Sequence, residues 1–273
     1  MKSARPGTLG ARLPDQATGY NDQRSQGPRA TANRRAPNVF MKPVVQPILL
    51  EVIVQTVDDA RAAEAGGADR LEVVRDINRD GLTPSIDVVR SIQAATRLPL
   101  RVMVRESATF TVSDATELAV LHRGAAQFAA LGVEGLVLGF TRGHDVDLQV
   151  TGAVLADLPA VVVTFHRAFD CVLDPIAGLE TLRRIPQIDR VLTSGGDGDW
   201  ATRCAALRRY ADRVSGLTLV AGGGVDEAAL ALIAATACVR EVHVGRAARD
   251  PQNRDAPVSA DRVRRLRETL DGC

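Results

Sequence analysis

Aromatic residues are scarce in this 273-residue chain, where Phe, Tyr and Trp together make 3%. A core with few rings has to be filled by Val, Leu, Ile and Ala, which suits parallel strands covered on both faces by alanine-rich helices. Cysteine is sparse as well. Cys171, Cys204, Cys238 and Cys273 are far apart in sequence and form no C-x-x-C pair. The spacing therefore gives neither a disulfide framework nor a thiolate zinc site, and a reducing cytoplasm is the expected compartment. No apolar run approaches the roughly 18 residues of a membrane span, and a net charge of +1 gives no electrostatic reason to expect a nucleic acid or a membrane surface as partner. The remainder is ordinary for a globular protein, 45% apolar and 25% charged. One domain can bury a core in a chain this long if its architecture grows by repeating a unit.

Residues 1–45 differ from the rest. They open MKSARPGTLGARLPDQ, are rich in Arg, Gly, Pro and polar residues, and carry no periodic apolar stripe. Such a segment cannot bury enough surface to offset its ordering entropy, so it reads as a disordered extension, with Met41 an alternative start. It also lacks the apolar stretch of a secretory signal.

Residues 46–273 read as a single domain in which strand and helix alternate. Eight apolar runs stand out: ILLEVIV (48–54), RLEVV (70–74), LRVMV (100–104), GLVLGF (135–140), AVVVTF (160–165), RVLTS (190–194), LTLVA (217–221) and REVHV (240–244). Helix signals fall between them. Thr56 precedes an acidic first turn that ends at Gly66-Gly67. Thr83-Pro84 reads as a cap followed by a first-turn proline. Ser113-Asp114, Asp174-Pro175 and Ser259 open further helices. The fold class expected is α/β, a (β/α)8 TIM barrel; an open doubly wound sheet usually has fewer units.

In such a barrel alternate strand residues face the interior, and chemistry sits where the strands end. The alternation turns Glu51, Glu72, Met103, Arg105, Glu241 and His243 inward. The fifth run delivers Thr164 and His166, followed at once by Arg167 and Asp170, and the sixth ends at Ser194. Ionised groups inside a barrel are costly unless paired. Two readings stand. Glu51, Glu72 and Arg105 can form a self-satisfied plug, or they can belong to a site with His166, Arg167 and Asp170, Asp170 orienting Arg167. Under the second, these six residues are the catalytic candidates. Gly222-Gly223-Gly224 follows the seventh run and Gly245-Arg246 the eighth, the places where many barrels cradle a phosphate. Ser194, Gly223, Gly224, His243, Gly245 and Arg246 are accordingly the candidates for an anion pocket, although tight turns also account for the glycines. TSGG (193–196) reads equally as an anion nest or a turn.

LLEV, GADRLEV, GLTPS, VTFHRAFD, RVLTSGG and AGGGV occur here in the order found in the CutC family, which the chain resembles from about residue 48 to 248. The resemblance implies a cytoplasmic (β/α)8 barrel, dimeric or larger, with a role in copper homeostasis. It also implies, for some members, cysteines on the first two strands that hold Cu(I). Here those strands read LLEVIVQT and LEVVRD, with Val and Ile where the thiols would be. Cu(I) prefers sulfur, so a cysteine-pair copper site is not expected. Members also commonly carry small residues after the histidine of the eighth strand, whereas this chain has Val244-Gly245-Arg246.

Three functions follow. The first is metal binding. His166, His243, Glu51 and Glu72 form a nitrogen–oxygen set better suited to a divalent ion, copper or another metal, than to Cu(I). The second is an enzyme acting on a small anionic, phosphorylated or sugar-like metabolite, with Glu51 or Glu72 as acid–base group and His166 as its partner. The third is a non-catalytic scaffold. The expected partners are a small anionic ligand or a metal ion and a second copy of the chain.

Overall fold

The computed structural model describes residues 47–158 and 160–272. The extension expected over residues 1–45 lies outside the described residues, as does Cys273. Eight parallel strands close into a cylinder: β1 (Leu49–Val54), β2 (Arg70–Val73), β3 (Leu100–Met103), β4 (Gly135–Leu138), β7 (Val162–Phe165), β8 (Ile188–Thr193), β9 (Thr218–Ala221) and β10 (Glu241–Val244). Each pairs with its neighbours in parallel, and β1 closes the ring by pairing with both β2 and β10. A two-residue hairpin, β5 (Thr141–Arg142) with β6 (Asp145–Val146), follows β4 and has no counterpart in the apolar-run reading.

A helix follows each barrel strand: α1 (Val57–Gly66), α2 (Ile86–Ala95), α3 (Ala115–Leu131), α4 (Leu148–Val154), α5 (Pro175–Leu182), α6 (Trp200–Arg213), α7 (Glu227–Thr236) and α8 (Ala260–Asp271). Ser, Thr or Asp caps all eight, accepting a first-turn N–H; Thr56, Asp114, Asp174 and Ser259 do so as the sequence predicts. Each such cap is worth about 1 kcal/mol. One expectation fails. Ser85, not Thr83, caps α2. Thr83 is drawn away because its hydroxyl accepts the N–H of Arg105 at 2.9 Å and donates to the Arg105 carbonyl at 3.0 Å.

The main core lies between the cylinder and the helices. Leu50, Val52, Val54, Leu71, Val73, Val242 and Val244 face outward from their strands and are buried there. Small helix residues let the layers close without aromatic bulk: a Cβ on Gly66 of α1 would stand 2.5 Å from Cβ of Val263 on α8. A second, smaller apolar cluster of Val74, Ile77, Met103 and Val137, with Ile53 against it, sits apart from this core. Cys204 and Cys238, far apart in sequence, meet in the helical layer as free thiols 2.8 Å apart. Among the described residues no helix is long and apolar enough to cross a membrane.

Candidate functional site

The same alternation that packs valines outward turns charge inward. Register sets Glu51 of β1 beside Arg70 of β2 and His243 of β10. Arg70, 1% exposed, donates from Nε to Glu51 at 2.5 Å and from Nη2 to Glu241 at 2.6 Å. Arg190 on β8 donates from Nε to the same Glu241 at 2.7 Å and pairs with Asp189. Arg101 of β3, wholly buried, reaches Thr164 at 2.7 Å, both oxygens of Asp189 at 3.0 Å, and Glu134 at 3.2 Å. Arg70, Arg101, Arg190 and Glu241 lie at the first, second or third residue of their strands, so this ion-paired column fills the N-terminal half of the cylinder. Burial is tolerable because nearly every charge has two opposite partners.

Above the column the interior opens into a cavity of about 540 Å³ at the C-terminal ends of the strands. His243 lies at the junction. Its Nδ1 is 2.7 Å from Glu51 and its Nε2 3.6 Å from Glu72. Burial would raise the Glu51 carboxyl, but the positive charge of Arg70 and the hydrogen bond from His243 hold it well below the usual carboxylate range. Glu72 has no such direct cation. Burial pushes it up to about 7, against the pull of His243. For His243 burial acts downward, but the charge of Glu72 and the hydrogen bond to Glu51 outweigh it and hold the imidazole above its ordinary value. Glu72, His243 and Glu51 are thus a buried relay whose outer member, Glu72, lines the cavity with a pKa near neutrality.

The wall is built by strand ends and the loops that follow. Arg105, just past β3, is held by the carbonyls of Asp80 at 3.2 Å and Ala108 at 2.6 Å and lies 4.7 Å over the ring of Phe110. His166 follows β7 and is 3% exposed. Its Nδ1 accepts the N–H of Ala168 at 3.1 Å, which places the proton on Nε2. That Nε2 has no hydrogen-bond partner in the protein. Burial, then the charge of Arg105, push His166 down to about 3, so it is neutral at ordinary pH. Arg167 donates from Nε to Asp170 at 2.9 Å, and the other oxygen of Asp170 takes the Thr193 hydroxyl at 2.6 Å and the Ser194 N–H at 3.0 Å. Asp170 orients Arg167, as its spacing suggested, and also ties the β7 loop to the end of β8.

Ten of the twelve sequence-predicted residues line one cavity: Glu72, Arg105, His166, Arg167, Asp170, Gly223, Gly224, His243, Gly245 and Arg246. Glu51 is among the residues beneath it, in the ion-paired column, and Ser194 does not line it. The turn at TSGG keeps its N–H groups at home: Gly195 donates to the Thr193 hydroxyl and Gly196 to that of Ser194. Arg70, Arg101, Asp189 and Arg190 escaped the sequence reading. Arg70 shares the parity of Glu72, so the signal was there; a charge at the first residue of a strand ordinarily reads as solvated. Gln252 and Arg254 also line the cavity, from a loop with no pattern to announce it.

The candidate metal set does not assemble. His166 spends Nδ1 on a backbone N–H, and His243 directs both nitrogens at carboxylates. Among the described residues no three His, Cys, Asp or Glu side chains are placed to hold a metal ion.

Comparison with known proteins places this architecture. A family model described as "CutC family" matches residues 48–248. The chain is 34% identical to a human protein named copper homeostasis protein cutC homolog, covering 71% of this chain and 72% of that one. It is 36% identical to a family protein CutC of Xanthomonas axonopodis pv. citri, covering 65% and 75%. The crystal structure of CutC from Streptococcus agalactiae superposes with a TM-score of 0.66 at 21% identity, over 72% of this chain and 98% of that one, and shows the same fold.

Proposed function

This chain belongs to the CutC family, and from that premise we propose that its barrel mouth binds a small anionic metabolite and moves a proton on it, with Glu72 as the acid–base group. The observation that carries this reading is the position of Glu72, buried on the cavity wall with its carboxyl pushed up to about 7. A group whose pKa lies near the working pH exchanges its proton most effectively. His243 and Glu51 back it: as Glu72 takes or gives a proton, the hydrogen-bonded imidazole adjusts without exposing charge to the core. Arg105, Arg167 and Arg246 supply positive charge at the rim, where an anionic substrate would be held. The protein is read as a cytoplasmic homo-oligomer, which fractionation and light scattering test.

A thermal-shift screen of phosphorylated and carboxylated metabolites tests the central reading, run on the wild type and on Glu72→Gln. At least one anionic compound should stabilise the wild type, and conversion of that compound should be lost in the variant. If no anion raises the melting temperature and Glu72→Gln alters nothing, the reading fails.

Copper handling, the role printed in the relatives' names, is the second reading. Its specific support is sulfur at the mouth: Cys171 and Met103 line the same cavity as His166, and thiolate and thioether suit Cu(I). Copper would be cargo here. Titration with Cu(I) under reducing conditions should give a tight site that Cys171→Ser weakens; equal binding by an unrelated barrel removes this reading.

A further inference from the structure

We infer that the anionic group taken at this mouth is a phosphate, seated against Gly223 and Gly224 with Arg167 and Arg246 as its cations. The inference rests on the reading that the mouth takes a small anion, and it names the chemical class.

The main chain supplies the first donors. Gly223 and Gly224 hold successive positive φ values of 86° and 88°, and neither N–H donates to a protein acceptor among the described residues. The carbonyl of Gly223 is turned toward Nη1 of Arg203, on α6, at 3.2 Å. Across a planar trans peptide the carbonyl and the next N–H point in opposite directions. Arg203 does not line the cavity and both glycines do, so the Gly224 N–H faces the mouth. Arg203 is thus a positioning residue for this peptide.

The cations come next. A Cβ on Gly223 would stand 3.0 Å from Cζ and Nε of Arg167, so the missing side chain lets the guanidinium lie close to the loop. Arg167 commits only Nε, to Asp170, and is 48% exposed, which leaves the ends of its fork for a ligand. Arg246 lines the same cavity and forms no ion pair among the described residues. A separate observation points to a ligand. The buried Nε2–H of His166, on the same wall, lacks any acceptor in the protein, and an orphaned buried donor is costly unless something fills it.

Donor number favours phosphate over carboxylate. Two guanidinium forks and a backbone N–H exceed what two carboxylate oxygens absorb at one end of a molecule, whereas a phosphate presents three or more acceptor oxygens. Glu72 and His243 then lie deeper, beside Ile53, Val74 and Met103. A phosphate monoester with a short carbon body fits: its charged end at the rim, its reacting end at the acid–base relay.

The test is a titration with inorganic phosphate at constant ionic strength, chloride replacing phosphate, read by melting temperature and by phosphorus NMR. The wild type should bind phosphate. Arg167→Gln and Arg246→Gln should each weaken binding about tenfold or more. Arg203→Gln should weaken it several-fold while leaving the melting temperature in chloride close to that of the wild type, and the exposed Arg264→Gln should behave as wild type. Phosphate that stabilises no more than chloride, or binding indifferent to Arg167 and Arg246, overturns the assignment. If malonate protects where phosphate does not, the phosphate class falls and the role of Glu72 stands. If phosphate binds but no carboxyl near pH 7 disappears from the carbon NMR titration of Glu72→Gln, the acid–base reading falls and the phosphate seat stands.

Discussion

His243 and Glu51 seal the cylinder from within: Nδ1 of the imidazole lies 2.7 Å from the carboxylate, joining the last barrel strand to the first. Beneath this contact Arg70 bridges Glu51 and Glu241. Arg70→Met should therefore strand two buried carboxylates and cost about 3–5 kcal/mol in urea unfolding. Adding Glu51→Gln to Arg70→Met should recover part of that loss, because one stranded charge is removed. A double variant as unstable as the sum of the singles would show the pair to be uncoupled.

The pH dependence of stability should carry the mark of His166. Its folded pKa is pushed down to about 3 from an ordinary 6.5, by burial and then by the charge of Arg105. Between these values the unfolded chain binds a proton that the folded chain refuses, so stability falls as pH drops through 6.5 toward 3, by up to about 1.4 kcal/mol per pH unit. His166→Gln has no such proton to refuse. Its stability deficit relative to the wild type should narrow on acidification, and a deficit constant from pH 7 to pH 4 contradicts the burial of a neutral imidazole.

Gly139 is a steric gate on the same histidine. A Cβ there would stand 2.6 Å from Nδ1 of His166 and 2.9 Å from Cε1. Gly139→Ala should displace the ring, break the bond from the Ala168 N–H, and cost roughly 1–3 kcal/mol as an overpacked core does. Proton NMR of the imidazole should report a changed tautomer balance; an unperturbed ring signal would count against the contact.

The thiols should separate cleanly by reactivity. Cys171 is exposed, whereas Cys204 and Cys238 are buried, and burial with the neighbouring Cys204 pushes Cys238 up to about 12. At neutral pH an alkylating reagent should modify Cys171 first and reach Cys204 and Cys238 only in denaturant. Peptide mass spectrometry reads the order directly. Rapid labelling of Cys238 in the native state would place it elsewhere.

The barrel and the residues on its mouth were legible because period-two alternation is a strong signal in a strand of four or more residues. Valines at 52, 54, 71, 73, 242 and 244 pack outward, and that alone turns Glu51, Glu72 and His243 inward. The depth of those groups was not legible. Alternation gives a face but no height, so Glu51 and Glu72 look equivalent although the strand register sets one in the ion-paired column and the other on the cavity wall. Arg101 and Asp189 meet across the barrel over 88 positions of sequence, a distance no local pattern spans. The α2 cap was misread for a similar reason: Thr83 satisfies a strand end 22 residues away, and Ser85 inherits the helix.

The charged column has a consequence for traffic. With Arg70, Arg101 and Arg190 clamped among carboxylates, the cylinder is a cul-de-sac with one doorway at the strand tips. A transformed molecule must leave by the route its precursor needs for entry. The two exclude each other, so inhibition by product should be competitive in form, and exchange through the doorway, not passage along the axis, sets the tempo of any turnover.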